Sequence, residues 1–420
     1  MKWPEVPLSK VAVINPGRPR NLGIRDDQPV SFVPMPAVSE QSAAIEHPDL
    51  RPYIDVKKGF TYFEENDILF AKITPFMENG KSAIATGLVD GIGFGSTEFH
   101  VIRPNQSLLL PKYVHYFVKQ QSFRDNAKAR MRGAVGQQRV PKEFLDDTMI
   151  PLPSISEQRR IVEILDQADR LRKLRADADA KAQHIPPALF IKMFGDPATN
   201  PKGWQQKTLA QTGSKVRYGL GQPPEKASDG VPLIRATNIK QGFISKEEMI
   251  YVNPNSVPST RNAFLDANEV LVVRSGACTG DAAQVTEEWK GSVVGYDLVI
   301  TPSENLRAGF IESYLLTPYI QKNYFFAHKS RAGQPHLNAN QLENTPFYVP
   351  LIDRQDKYKS MISGLRKLRK ERTNSEKQIQ KIFQVILHRS FTGDLTASWR
   401  EAHMEELFQE MELQGKSLAP

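Results

Sequence analysis

The chain has 420 residues, 40% of them hydrophobic and 24% charged, which is long enough for two cores with connecting material and too apolar for a disordered polymer. A net charge of +8 points weakly to an anionic partner. The single cysteine, Cys278, excludes an internal disulfide and any multi-cysteine metal cluster; no stretch reads as a signal peptide or a membrane span, so a cytoplasmic location is expected.

Taken in chain order, residues 1–152 hold short apolar runs such as Asp67-Ile68-Leu69-Phe70-Ala71-Lys72, broken by Gly, Pro and Asn, and read as strands and loops with a few short helices. Gly91-Ile92-Gly93-Phe94-Gly95 lacks the surroundings of a dinucleotide fingerprint and reads as a glycine-rich turn before a strand at 98–103. Residues 153–200 are helical. Ile161, Ile164, Leu165, Ala168, Leu171, Leu174 and Ala178 fall at helical spacing, Ser154 and Glu157 suit a capping box, and Pro186-Pro187 interrupts the helix. Residues 201–350 return to strands and loops, with Val270-Leu271-Val272-Val273-Arg274 as the central run. In 351–395 Met361, Leu365, Leu368, Arg372, Ser375, Ile379, Ile382 and Ile386 alternate steps of four and three, the seam of a coiled coil, with Asp353 as its N-cap. The segment 396–420 reads as an acidic tail.

The two halves repeat. Gly136-Gln137 returns as Gly333-Gln334, and in the same order Leu145 as Leu342, Thr148 as Thr345, Pro153 as Pro350, Gln158 as Gln355 and Leu171-Arg172-Lys173 as Leu368-Arg369-Lys370. Glu65-Asn66-Asp67-Ile68-Leu69 matches Ala267-Asn268-Glu269-Val270-Leu271, and Val101-Ile102-Arg103-Pro104 matches Val299-Ile300-Thr301-Pro302. The expected fold is therefore α+β: two mixed domains related by an internal pseudo-twofold repeat, separated by two long helices packed as an antiparallel coiled coil. Ile161, Leu165, Leu171, Leu365, Leu368, Ile379 and Ile382 are expected on its seam. Helices of this length span roughly 40 Å.

No phosphate-binding loop, zinc His pair, nucleophile elbow or amino-methyltransferase signature occurs, and the eight histidines include no close pair, His100 and His115 reading as structural. What recurs instead is a pair of loops in each half, rich in residues that reach base edges and phosphates. The first loop supplies Lys72, Thr74 and Lys81 in one half and Arg274 and Ser275 in the other. The second supplies Arg130, Arg132, Gln137, Gln138 and Arg139, matched by Lys329, Arg331, Gln334 and His336. Arg217 and Tyr218, in a glycine-rich stretch opening the second half, are a weaker addition, and the basic cluster Arg366, Lys367, Arg369, Lys370 and Arg372 reads either as a phosphate-facing surface or as a solvated helix flank.

These residues resemble the specificity subunits of type I restriction–modification systems. The likeness covers nearly the whole chain and rests on Thr148 through Pro151-Leu152-Pro153 to Glu157-Gln158-Arg159-Arg160-Ile161-Val162, on Val231-Pro232-Leu233-Ile234-Arg235-Ala236-Thr237-Asn238-Ile239, on Gly333-Gln334-Pro335-His336-Leu337 and on Phe391-Thr392-Gly393-Asp394-Leu395. The resemblance implies two target-recognition domains, 1–152 and 201–350, each reading half of a split site in double-stranded DNA, with 153–200 and 351–395 as helical spacers. The first half departs from the usual pattern in having Lys72-Ile73-Thr74-Pro75 where the second has Arg274-Ser275-Gly276. It further implies two modification subunits carrying S-adenosylmethionine, and restriction subunits carrying ATP and magnesium, with no cofactor, catalytic residue or metal on this chain and no membrane partner. The alternatives are a standalone DNA methyltransferase or nuclease with divergent motifs, or a coiled-coil scaffold without a DNA role.

Overall fold

The computed structural model describes residues 3–40, 42–260, 262–325 and 336–418. They divide into two compact units, one drawn from Met1–Asp177 with Ser375–Pro420 and the other from Ala178–Asn374. Both long helices, Ile155–Ala182 and Ile352–Thr392, contribute to both units.

The first unit is built on a four-stranded antiparallel sheet in the order Ala12–Ile14, Phe99–Pro104, Ile68–Ala71, Ser82–Ile84. Its central strand is apolar at every position because both faces are covered. Ile68 and Phe70 face a cluster with Tyr113 and Val114 of the helix Pro111–Val118, while Leu69 and Ala71 face one with Val33, Val38 and Phe63. A second sheet runs Asp49–Pro52, Pro29–Val33, Ile92–Gly95, Thr61–Glu64, with the middle two strands parallel.

The stretch 91–95 is thus mainly strand, not the turn its glycines suggest. A Cβ on Gly93 would lie 2.3 Å from the Phe63 ring and one on Gly95 2.6 Å from the Val33 carbonyl oxygen, so these glycines admit neighbours that a side chain would exclude.

The second unit repeats this plan. Lys215–Tyr218, Leu298–Thr301, Val270–Val272 and Ala282–Gln284 form the antiparallel sheet in the same order. Lys226–Ile234 lies between Ile250–Val252 and Val293–Val294, parallel to the latter. Each unit is also stapled by its first and last strands, Glu5–Pro7 with Met149–Pro151 and Gln205–Thr208 with Pro346–Val349.

The repeat extends to single turns. Asn66 and Asn268 both take the left-handed conformation, φ 72° and 69°, and the acid that follows each is buried, accepting the backbone N–H of the residue three earlier. Arg103 pairs with Asp67 at 2.8 Å from the adjacent strand Phe99–Pro104; in the second unit Arg217 pairs with Glu269 from the edge strand Lys215–Tyr218, one strand further out.

The helices pair antiparallel within each unit. In the first, Ile161, Val162 and Leu165 share a cluster with Phe383, Leu387 and Phe391; in the second, Phe190 and Phe194 of the helix Ile185–Phe194 pack on Tyr358. The expected seam needs correcting. Ile161 and Leu165 are buried, and Leu365 and Ile379 half-buried, but Leu171, Leu368 and Ile382 are 65%, 55% and 57% exposed. Phe383 takes the inward position beside Ile382, and polar pairs occupy the rest: Arg172 over the Phe383 ring at 4.7 Å, Arg175 on Ser375 at 3.2 Å, and Arg372 on Asp179.

The segment expected as an acidic tail carries two helices, Ala397–Ala402 and Met404–Leu418. They are anchored at the start of Ile155–Ala182: the buried Glu157 carboxylate accepts from Trp3, Thr396 and Arg400, and Glu410 accepts from the Ser156 hydroxyl. Glu157 is therefore not the second half of a capping box, although its backbone N–H does donate to Ser154 Oγ. Asp353 lies inside the first turn of Ile352–Thr392 rather than capping it. Among the described residues no helix is long and apolar enough to cross a membrane.

Candidate functional site

In the first unit the two loops marked by composition meet. The turn after Ile68–Ala71 and the loop between Gln121–Ala129 and Lys142–Asp147 are joined by a β-bridge, Ile73 to Arg139, with Thr74 N donating to Gln138 O at 3.0 Å and Val140 N to Lys72 O at 2.8 Å. Arg132 and Arg139 form a second bridge within the later loop.

His100 holds this junction to the sheet. The Val140 carbonyl can only accept, so His100 Nε2 donates to it at 2.8 Å, leaving Nδ1 to accept from Asn15 Nδ2 at 3.0 Å. Burial lowers the pKa of this histidine, consistent with a neutral ring.

The nominated side chains then separate by role. Arg130, Arg132 and Gln137 are exposed, and Lys72 and Gln138 are half-exposed. Arg139 is forked onto Glu98, Nε at 2.9 Å and Nη2 at 2.8 Å, which holds the Glu98 carboxyl below its usual range. Thr74 Oγ1 donates to Gln138 O at 3.2 Å, binding one loop to the other. Lys81 is buried, its ammonium on Met35 O at 3.3 Å and over the Phe76 ring, so it holds the turn rather than facing a ligand.

The second unit makes the same junction with different chemistry. Ser275 bridges to His336, and Leu337 N donates to Arg274 O at 2.8 Å. Arg274 N donates to Asp297 Oδ1 at 3.0 Å, and its guanidinium lies over Tyr218 at 4.7 Å and over Tyr296 at 4.3 Å while Nη2 donates to His336 Nε2 at 3.1 Å. Burial pushes Asp297 up to about 6, against the opposing pull of the Arg274 N–H. Tyr218 also accepts Ala339 N at 3.0 Å. Arg217 is committed to Glu269 and is a structural cation, not a free one. Lys329, Arg331 and Gln334 lie outside the described residues.

Sheet register shows which positions correspond. Ile68 pairs with Ile102 as Val270 pairs with Ile300, so Lys72 corresponds to Arg274 and Glu98 to Tyr296; the bridges Ile73 to Arg139 and Ser275 to His336 make Arg139 and His336 equivalent. Three matched backbone positions therefore carry Lys, Glu and Arg in one unit and Arg, Tyr and His in the other. Glu98, Tyr296 and Asp297 escaped the sequence reading although they lie just upstream of the matched strings at 101–104 and 299–302, whose spacing already aligned them.

The basic helix face is neither a free phosphate-binding row nor a wholly solvated flank. Arg366 donates to Gln284 and Glu312 at 2.5 Å, Arg369 covers the Phe243 ring at 3.8 Å, and Arg372 pairs with Asp179, all within the second unit. Among the described residues no group of three His, Cys, Asp or Glu side chains is placed to hold a metal ion.

Residues 42–181 match the family model of the type I restriction modification DNA specificity domain. The chain is 38% identical to the EcoAI type I restriction enzyme specificity subunit of Escherichia coli over 86% of its own length and 77% of that protein. It is 40% identical to the EcoEI specificity subunit of the same species over 38% of this chain and 26% of that one. A solved structure from work on complex assembly and conformational transition of the type I R-M system shares the fold, with TM-score 0.62 at 19% identity, covering 94% of this chain and 98% of the other.

Proposed function

The chain belongs to the specificity subunits of type I restriction–modification enzymes, and on that premise we propose that each of its two units reads one half of a split duplex DNA target through its pair of converging loops. The observation that carries this reading is the junction itself. Twice, at register-equivalent places, two loops whose sequences carry Arg, Lys, Gln or His are fastened to each other at the end of a sheet, one pair by the bridge of Ile73 to Arg139 and one by that of Ser275 to His336. Side chains of this kind reach base edges and phosphates, and a stiff scaffold keeps them in place.

The chain selects the DNA target and is not itself the catalyst. In this reading it acts in the cytoplasm. Two modification subunits dock on it and bring S-adenosylmethionine and the adenine-methylating site, restriction subunits bring ATP and magnesium, and the paired helices hold the unread spacer between the half-sites.

The test is to purify the chain with its modification subunits, footprint the complex on DNA and profile methylation. A two-part footprint over a split site supports the reading. Methylation or cleavage by the chain alone, or one continuous site, overturns it.

A further inference from the structure

We propose that Arg274 is the guanine-reading residue of the second unit, its guanidinium held over the Tyr218 and Tyr296 rings so that its outer edge addresses N7 and O6 of one base in the major groove. This rests on the second unit being a half-site reader and says which base it selects.

The main chain at Arg274 is tied on both sides: its N–H to the buried Asp297 carboxylate and its carbonyl to Leu337 N. Its side chain is equally constrained. With ring centroids 4.7 and 4.3 Å from the guanidinium carbon, the fork is confined over two rings before any ligand arrives, so less side-chain entropy is left to lose on binding. Arginine has no acceptor, so His336 Nε2 must accept from Nη2, placing the imidazole proton on Nδ1. That contact uses one hydrogen of Nη2 and none of Nη1. Nε is buried without a partner, which leaves the Nη1 and Nη2 end as the edge available to a base.

The register-equivalent junction of the first unit is occupied differently. There Arg139 donates both arms of its fork to Glu98. The position matching Glu98 is Tyr296, an aromatic face in place of a carboxylate, and no carboxylate among the described residues pairs with the Arg274 guanidinium. The second unit therefore presents an oriented cation that no carboxylate grips as an ion pair, with Asp297 holding its main chain and acting on its charge without direct contact to the fork. The following Gly276, at φ 95° with open space where a Cβ would stand, lets the backbone come close to a groove. A phosphate needs only a nearby charge; a fixed planar fork suits two parallel acceptors, and in the major groove guanine presents them.

The experiment first profiles methylation by the wild-type complex to define its bipartite site. Failure to find one would refute the half-site reading itself. Each guanine of that site is then replaced singly by 7-deazaguanine, which removes the N7 acceptor, and binding by the unaltered complex is measured. One substitution is expected to weaken binding roughly ten-fold or more. In parallel, the profile of Arg274→Gln is expected to lose preference at that same guanine while the other half-site is read as before, which also shows that the variant is folded. Tyr296→Phe should keep the preference and Tyr296→Ala should relax it, as a positioning residue requires. The proposal is overturned if no single 7-deazaguanine matters, if Arg274→Gln keeps every position of both halves, or if it weakens all sequences alike with a shallower salt dependence, the mark of a phosphate contact. Should Arg274→Gln fail to bind at all, Tyr296→Ala decides: relaxed preference at the guanine marked by 7-deazaguanine supports the proposal, and an unchanged profile there overturns it.

Discussion

Gln158 and Gln355 stand at equivalent places in the two halves and make the same three hydrogen bonds. Gln158 Nε2 donates to Leu108 O and Pro153 O, and Oε1 accepts Leu110 N; Gln355 Nε2 donates to Asn305 O and Pro350 O, and Oε1 accepts Arg307 N, all between 2.8 and 3.0 Å. Both side chains are fully buried, so truncation leaves two carbonyls and one N–H without their partner, the Leu108, Pro153 and Pro350 carbonyls being shielded from water. Gln158→Ala and Gln355→Ala should each cost about 3 kcal/mol in urea unfolding, and a loss under about 1 kcal/mol would show that the clamps are dispensable. His115 is a second buried group with a measurable signature. Burial, helped by the nearby Lys119 charge, lowers its pKa to about 3, and its Nε2 has no hydrogen-bond partner. Because the folded pKa lies below the ordinary 6.5, the neutral ring's contribution is fully present above pH 6.5 and is lost as the pH falls toward 3, by up to about 1.4 kcal/mol per pH unit. Between pH 6.5 and 5 the wild type should lose about 2 kcal/mol more than His115→Gln, measured by urea unfolding at both pH values; parallel curves would mean the histidine titrates normally.

At the scale of the element, helix existence was legible and helix facing only in part. The 3.6-residue spacing from Ile161 to Leu165 marked a true buried face, and Pro186-Pro187 correctly announced that the helix Ile155–Ala182 would not run on unbroken into Ile185–Phe194. The heptad reading of the second helix failed at Leu368 and Ile382, because a pattern of apolar letters treats isoleucine and phenylalanine alike. Phe383 fills the inward position one residue on and leaves Ile382 outside. Gly93 failed for a related reason: its signal is the absence of a side chain where Phe63 comes close, and only the folded neighbour reveals that. If the paired helices hold the unread spacer, their length is a variable that can be tuned. Inserting four residues at matching places in both adds about 6 Å of helix, so the preferred spacer should grow by about two base pairs in a methylation profile. An unchanged spacer with both half-sites intact would remove the helices from that role.

For the whole molecule, the duplication was readable because matched residues kept their order, and the four-stranded antiparallel sheet and the terminal staple recur in both units. The loops were readable by composition, but their meeting was not, since the bridges of Ile73 to Arg139 and Ser275 to His336 join segments about sixty residues apart through backbone atoms that carry no sequence signature. The same bridges locate the variable chemistry on a constant frame, and this frame makes exchange feasible. Gln205–Thr208 and Pro346–Val349 pair along four residues, bringing the ends of the second recognition segment side by side, and the segment between them contributes apolar clusters of its own around Leu271 and Leu233. Replacing 209–345 with the corresponding segment of another family member therefore keeps the staple and the helices while changing every residue at the second junction. The expected result is a methylation profile in which one half-site is new while the other half-site and the spacer length are those of the parent. The first junction, with Arg139 on Glu98, lies in the other unit and contains none of the exchanged residues. A chimera that altered both half-sites together would mean that the units do not read DNA separately, and would count against the division of the target between them.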